Sequence, residues 1–395
     1  MTAPSTPSKT DPLFAPAVPE TRFVTLDILR GFALFGVLLV NMLMFSYLAP
    51  LYPPLAAPGL GPLERAAEWV IVTFAEGSFY PIFAFLFGLG FALQLRKGEG
   101  VVPLYRRRLF VLLGIGVLHA VFVWLGDILV TYALVGFLLL PFRNRSDRTL
   151  LLWVVGGTLY TFIAFYVLTL FGGNALPPEL LAQLEGLYRT GSYAELTLVR
   201  LSWLFLNLTN LLVVFPQILA LFLLGLLVGR RGVLQDPEAH APLLRRTFGV
   251  TLAVGLPLVL LRGAALARGG STPLFEALDV AIGSPALGFA YLSGLALLLR
   301  AARWQARLGP LAAVGRTALS NYLAQSLICT LLFYPYGLGL FGRVGPAWGI
   351  VLTLALFAAQ IVLSNLWLQR YRYGLAEWVW RALTYQARPA LRRGV

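Results

Sequence analysis

RRRLFVLLGIGVLHAVFVWLGDILVTYALVGFLLLPFR, residues 106–143, is the stretch on which the fold turns. It opens on three arginines and closes on a fourth. Between them His119 and Asp127 are the only side chains able to carry charge near neutral pH. Two apolar blocks, 107–124 and 127–142, are separated only by Leu125 and Gly126. Each approaches the roughly 20 residues that a helix rising about 1.5 Å per residue needs to cross a bilayer core of about 30 Å. The stretch reads as a helix that crosses a membrane and returns, with basic ends on one side and a tight tip at Gly126 on the other. Strands of a membrane β-barrel would alternate with period two, and these blocks do not. Backbone in hydrocarbon must satisfy its own hydrogen bonds, which leaves helices.

The rest of the chain repeats the pattern. Of 395 residues, 58% are hydrophobic and 12% charged. A soluble domain carries about 25% charged residues. Blocks of membrane-crossing length fall at 26–48, 70–95, 107–124, 127–142, 149–171, 203–229, 247–267, 280–300, 311–335 and 347–369. The expectation is an all-α, polytopic integral membrane bundle of about ten helices. Residues 1–22 are polar and proline-rich and read as a disordered cytoplasmic tail. They lack a basic-then-apolar signal peptide, so the first helix is expected to be retained. An N-terminal bundle, 23–229, would hold helices one to six and a long outer loop at 172–202. A C-terminal membrane domain, 230–395, would hold the last four helices and a basic, aromatic tail (370–395) lying along the interface.

Charge tests this topology. With the N-terminus in the cytoplasm, 25 of the 31 Lys and Arg residues fall on the cytoplasmic side, whereas the 17 acids divide 8 to 9. That is the positive-inside pattern, and an added or missing helix would scramble it downstream. Both termini are therefore read as cytoplasmic, and the inner (plasma) membrane is the expected location. The net charge of +14 would suit a nucleic-acid partner, but the basic residues lie between the apolar blocks, so none is expected. A single cysteine, Cys329, and two histidines give no disulfide framework and no Cys- or His-rich metal site. No short-period repeat is apparent. Partners beyond the bilayer, including a second copy in a homo-oligomer, are left open.

Polar side chains at membrane depth are costly and are functional candidates by default. On the outer half lie Asn41, Glu76, Tyr80, His119, Asp127 and Tyr132. On the inner half lie Asp27, Arg30, Arg316, Asn321 and Gln325, the last two sharing a helix face. His119 and Asp127 stand eight residues apart across the hairpin tip. A carboxylate on one imidazole nitrogen fixes the tautomer, leaving the other nitrogen to deprotonate a hydroxyl or amine. The plainer alternative is that Asp127 caps the fourth helix and His119 is a satisfied interfacial histidine. Glu76 can equally sit at the wet headgroup level, Asn41 can be interhelical glue, and Arg30 and Arg316 can snorkel as basic anchors. Gly88, Gly90, Gly114 and Gly116 read as close-packing positions. Phe79–Tyr80–Pro81 reads as a kink in the second helix. No clear pair of broken helices of the kind that marks many transporter sites is visible.

LDILRGFALFGVLLVNMLMF (26–45), FAEGSFYPIFAFLFGLGFAL (74–93) and the hairpin stretch resemble the opening of the YeiB-like membrane proteins. GRTALSNYLAQSLICTLLFYPYGLGLFG (315–342) and LWLQRYRYGLAEWVWRALTY (366–385) resemble the C-terminal domain of unknown function 418 that defines them. More distantly, Asp27–Arg30–Gly31 and Asn41 resemble the wider transmembrane acyltransferase group, with heparan-α-glucosaminide N-acetyltransferase and the family 3 O-acyltransferases. That resemblance implies a cytoplasmic acyl-CoA as donor and a glycan or lipid-linked acceptor on the far side. In the lysosomal enzyme a histidine follows the first-helix asparagine; here 42–58 has none, only Tyr47 and Tyr52 being ionisable. The general base is then expected to be His119, oriented by Asp127, with Glu76 beside them. Asn41 or Gln325 would donate to the oxyanion. Arg30 and Arg316, with Asn321 and Gln325 nearby, would hold the donor. The competing expectation is a secondary transporter in which His119, Asp127 and Glu76 carry protons.

Overall fold

The computed structural model describes residues 23–47, 55, 59–96, 98, 100–172 and 177–393, without the side chains of 178 and 207–211. The expected tail 1–22 lies outside them. The described residues form sixteen α-helices. In order they are α1 (Val24–Ser46), α2 (Pro62–Phe74), α3 (Tyr80–Leu95), α4 (Val101–Phe122), α5 (Leu129–Leu139), α6 (Asp147–Leu170), α7 (Pro178–Thr190) and α8 (Tyr193–Arg231). Then come α9 (Ala241–Ala267), α10 (Pro273–Leu278), α11 (Ser284–Leu298), α12 (Ala302–Leu308), α13 (Pro310–Arg316), α14 (Ala318–Phe333), α15 (Pro346–Arg370) and α16 (Leu375–Tyr385).

The protein is a polytopic helical membrane bundle. Six helical segments are long and apolar enough to cross a bilayer: Val24–Ser46, Asp147–Leu170, Leu212–Arg231, Ala241–Ala267, Pro273–Leu298 and Pro346–Arg370. Tyr80–Leu95, Leu129–Phe142 and Ala318–Phe333 are shorter apolar helices. The tenth expected span is α4, whose first turns carry Arg106, Arg107 and Arg108 and so dilute its hydropathy. Burial grades the bundle from centre to rim. Of the apolar window of α1, 56% is buried inside the protein, against 11% for α6. Leu151, Leu152, Trp153 and Val155 of α6 and Val362 and Leu363 of α15 are exposed, as side chains solvated by lipid tails must be.

Without a hydrophobic drive between helices, close contact depends on small residues. The tightest crossing is α1 on α13, where a Cβ on Gly315 would overlap the carbonyl of Asp27 and one on Gly31 would overlap that of Leu311. Gly88 and Gly225 seat α3 against α8 in the same way, and Gly116 seats α4 against the start of α5. Gly114 does not fit the close-packing expectation: a Cβ there meets nothing within 4 Å.

Several boundaries differ from the sequence reading. The second span is two helices, α2 and α3, rather than one kinked helix. Gly77, at φ 73°, supplies the left-handed turn that ends α2. The eighth span begins at Pro273 and passes through a π-helical turn at Asp279–Gly283, and the ninth breaks at Thr317 between α13 and α14. The hairpin tip is the non-helical stretch 123–128 rather than two residues. The outer loop 172–202 is mostly helix. It contains α7 and the first turns of α8, which start at a capping box between Ser192 and Glu195. The basic tail contains α16, which docks on the N-terminal parts of α4 and α14.

Candidate active site at the hairpin tip

The end of α4 turns its last carbonyls back on themselves. The amides of Val123 and Trp124 both donate to the carbonyl of His119, and the chain leaves the helix there. Asp127 then reaches back: its Oδ1 lies 2.8 Å from His119 Nδ1. Its Oδ2 accepts from the amide of Val130 at 2.7 Å, capping α5. The capping and pairing readings are thus both satisfied by one carboxylate with two oxygens. Both side chains are 2% exposed. His119 Nε2 is buried and has no hydrogen-bond partner among the described residues.

Gly126 is required at the tip, because the Trp124 ring fills the space a Cβ would need. Trp124 in turn stacks on Phe45 of α1, with ring centroids 4.2 Å apart. The Tyr322 ring of α14 lies 5.2 Å from His119, and its hydroxyl donates to the Gly126 carbonyl at 3.2 Å. Tyr322 also lines a cavity of about 100 Å³ together with Asn41, Gly77, Phe79, Tyr80, Gly126 and Ile128. Tyr132, one turn into α5, ties the cavity wall together by donating to the Tyr80 carbonyl at 2.9 Å. His119 and Asp127 do not themselves line this space; Tyr322, whose ring packs on His119, lines it from α14, and Asn41 lines it from α1.

Glu76 is placed elsewhere. Its carboxylate pairs with Arg262 of α9 at 3.4 Å, and Arg262 also meets Glu276 at 2.9 Å and Asp279 at 3.6 Å. The hydroxyl of Ser284 bonds both Asp279 oxygens at 3.0 Å and the Glu76 carbonyl at 3.2 Å. Glu76 is 42% exposed, against 9% for Arg262. This cluster joins the two discontinuities: the turn after α2 packs on the π-helical turn and on α11, with Gly288 against the Ser78 carbonyl. The turn between α2 and α3 thus faces a π-helical turn inside an otherwise continuous helical segment, Pro273–Leu298.

At the α1–α13 crossing the backbone at Gly315, next to Arg316, meets Asp27, one turn before Arg30. Arg30 Nη1 pairs with Asp27 at 3.1 Å and remains 31% exposed. Arg108 stacks on Trp380 of α16 at 4.0 Å. Trp380 donates to the Arg108 carbonyl, and Arg107 donates to that of Thr384. Glu377 of α16 accepts from the amides of Leu319 at 2.7 Å and Ser320 at 3.1 Å, capping α14. Burial pushes its carboxyl above the ordinary value, against hydrogen bonds from Ser320 that favour the ionised form. Asn321 and Gln325 do share a face, but the face is an interhelical seam. Asn321 Nδ2 bonds Thr317 and Ser364, and Gln325 bonds Gln360, which returns to the Asn321 carbonyl.

Tyr322, Arg262 with Asp279, and the α16 clamp were not singled out from sequence. Arg262 and Asp279 carried a signal, being charges within or at the edge of predicted spans. Tyr322 carried none, since one tyrosine in an apolar helix is ordinary.

A family model described as protein of unknown function (DUF418) matches residues 228–387. The chain is 34% identical to the uncharacterized protein YxaH of Bacillus subtilis, over 94% of this chain and 96% of that protein. It is 31% identical to the uncharacterized protein YeiB of Escherichia coli, over 93% and 97%. No solved structure matches it.

Proposed function

We propose that this chain, which belongs to the YeiB-like family, is a membrane-embedded acyltransferase of the bacterial inner membrane. It would move an acyl group from a cytoplasmic acyl-CoA to a hydroxyl or amine of an outer-face glycan or lipid-linked acceptor. The observation that carries this reading is the buried His119–Asp127 pair with an unpartnered Nε2, one side chain away from a polar-edged cavity. Asp127 holds the proton on Nδ1. Nε2 takes the acceptor's proton as its oxygen or nitrogen attacks the thioester carbonyl. The C–S bond then breaks, and the proton passes to the departing thiolate. Asn41, on the cavity wall, is the donor for the oxyanion. Gln325 is engaged with Gln360 and is set aside for that role. Arg30, partly exposed at the α1–α13 crossing, and Arg316, next to Gly315 at that crossing, would meet the donor's phosphates. A cavity of about 100 Å³, three or so waters at about 30 Å³ each, suits a short acyl group.

The test is thermal unfolding of the purified protein in detergent against acetyl-CoA and longer acyl-CoAs. A ligand that binds the folded state raises the melting temperature with concentration. A rise that disappears in Arg30→Gln, with product formation abolished in His119→Ala, is the expected result. No rise at saturating acyl-CoA, beside a control protein that responds, would overturn the reading.

A secondary transporter is the second reading, and the Arg262 cluster favours it. Facing helix breaks that carry charges at membrane depth are how many transporters build a substrate site. That reading requires flux that follows a pH gradient, and no covalent product.

A further inference from the structure

Arg200, in the second turn of α8, is 1% exposed. A guanidinium stays charged in any protein environment, so its surroundings must answer for the charge. Nη1 donates to the Phe122 carbonyl at 3.3 Å and Nη2 to the Tyr336 hydroxyl at 2.9 Å. The rings of Tyr193, Tyr334 and Tyr336 lie 5.4–5.8 Å from its carbon. None of the ion pairs among the described residues includes Arg200. The acids outside those residues are Asp11, Glu20 and Glu99, all on the opposite side of the membrane by the charge pattern. Glu195, one turn away, is held by Ser192. The C-terminus of α4 offers about half a negative charge through its last carbonyls, which leaves the rest unanswered.

Hydrogen-bond capacity is out of balance in the same direction. Arg200 Nε is buried without a partner, and so is the hydroxyl of Tyr188; the Trp124 indole N–H is directed at the Tyr334 hydroxyl oxygen, whose own proton has no acceptor. Tyr188 and Tyr334 pack edge to face at 5.1 Å, within the apolar cluster that also contains Trp124. Buried polar atoms without partners are uncommon and costly. Three donors without acceptors, Arg200 Nε and the hydroxyls of Tyr188 and Tyr334, around one uncompensated cation make a specific deficit. Water would satisfy the donors but not the charge. A dianion would overcompensate a single guanidinium in a dry setting.

We propose that Arg200, Tyr188 and Tyr334 form an outer-side binding site for a compact monoanion, either a halide or the carboxylate of a ligand. The site stands independently of the acyltransferase reading. It adjoins the hairpin tip through Trp124, the residue that covers Gly126.

The test uses the full chain in detergent, with thermal unfolding at constant ionic strength in gluconate, a bulky anion, and chloride, bromide or formate added in exchange. The melting temperature should rise saturably with the compact anions. Saturation by halide alone supports a resident ion, and saturation by formate at lower concentration supports a carboxylate ligand. Because Arg200→Gln can fail to fold, Tyr188→Phe supplies a second reading. In gluconate the lost hydroxyl was unsatisfied, so the variant melts at or above the wild-type temperature. In saturating anion it melts below it, and half-saturation requires severalfold more anion. A flat titration with all three anions, or the same difference between wild type and variant in both buffers, would overturn the proposal.

Discussion

Replacing Asp127 separates its two jobs. The carboxylate caps α5 through Val130 and holds His119 through Nδ1, both from a buried position. Asp127→Ala removes both bonds. Losing a cap costs about 0.5–2 kcal/mol, and leaving a buried imidazole nitrogen unpaired adds about 1–3 kcal/mol. The expected loss is therefore about 1.5–5 kcal/mol of folding stability. Asp127→Asn keeps the shape. Its carbonyl oxygen still caps Val130, but its amide now donates to Nδ1, which must accept. The imidazole proton moves to Nε2, and the nitrogen facing the reaction is no longer a base. Stability should fall by less than about 1 kcal/mol, while acyl transfer falls by about 10⁴-fold, the size of the same wrong-tautomer change in the serine-protease triad. Chemical unfolding in mixed micelles measures the first quantity, and release of free thiol from acyl-CoA the second. An Asn variant within tenfold of wild-type activity would refute the tautomer argument. An Ala variant as stable as wild type would refute the structural role.

Four other outcomes follow from the geometry. Gly315→Ala forces a methyl against the Asp27 carbonyl. Backbone cannot rotate aside, so thermal unfolding should show a loss near the top of the about 1–3 kcal/mol range for overpacking; Gly114→Ala, with open space around it, should be neutral or stabilising. Arg262→Met leaves Glu276 and Asp279 without their cation and should cost about 3–5 kcal/mol by the same assay, whereas Glu76→Gln, at a side chain 42% exposed, should change stability little. The Ser192 amide and hydroxyl hold the Glu195 carboxyl below its ordinary value. Its capping contribution is therefore present above the ordinary carboxylate pKa and lost as pH falls through the lowered one; hydrogen exchange in the first turn of α8 should show this extra opening on acidification in wild type and not in Glu195→Gln. Asn321→Ala should cost about 0.5–2 kcal/mol as a broken interhelical bond with acyl-CoA binding unchanged, and lost binding in a variant of normal stability would return Asn321 to the donor site.

Membrane crossing was legible because lipid imposes a length and an apolar composition on each helix, and the ten apolar blocks are mostly helical among the described residues, the second interrupted by the turn at 75–79. The pairing of His119 with Asp127 was legible because only a short turn separates them in the chain. Where partners lie far apart in sequence, the legibility ends. Glu76 meets Arg262 and Tyr322 meets Gly126 only because α1, α3, α9 and α14 pack as they do. Asn321 and Gln325 were legible as a polar face but not as a seam, since nothing in their spacing tells a ligand from a neighbouring helix. Arg200 looked like one of a few arginines in an outer loop. It became conspicuous only when that loop proved helical and Tyr188, Tyr334 and Tyr336 packed around it.

The turn at 75–79 is where the two functional readings part. An acyltransferase needs a rigid cavity wall there, and a transporter needs a hinge. Its Ser78 carbonyl abuts Gly288, and the Ser284 hydroxyl, with its one proton, lies within donating distance of both the Glu76 carbonyl and the Asp279 carboxylate. A turn fixed by backbone contact on one face and a buried ion cluster beside it resists movement, because opening would strand Arg262 and Asp279 in a dry interior. The closed, fixed wall fits a site that positions reactants better than one that alternates access. The same argument makes the Arg262 cluster a support for the cavity in the enzyme reading, holding Gly77 and Tyr80 in place opposite Asn41.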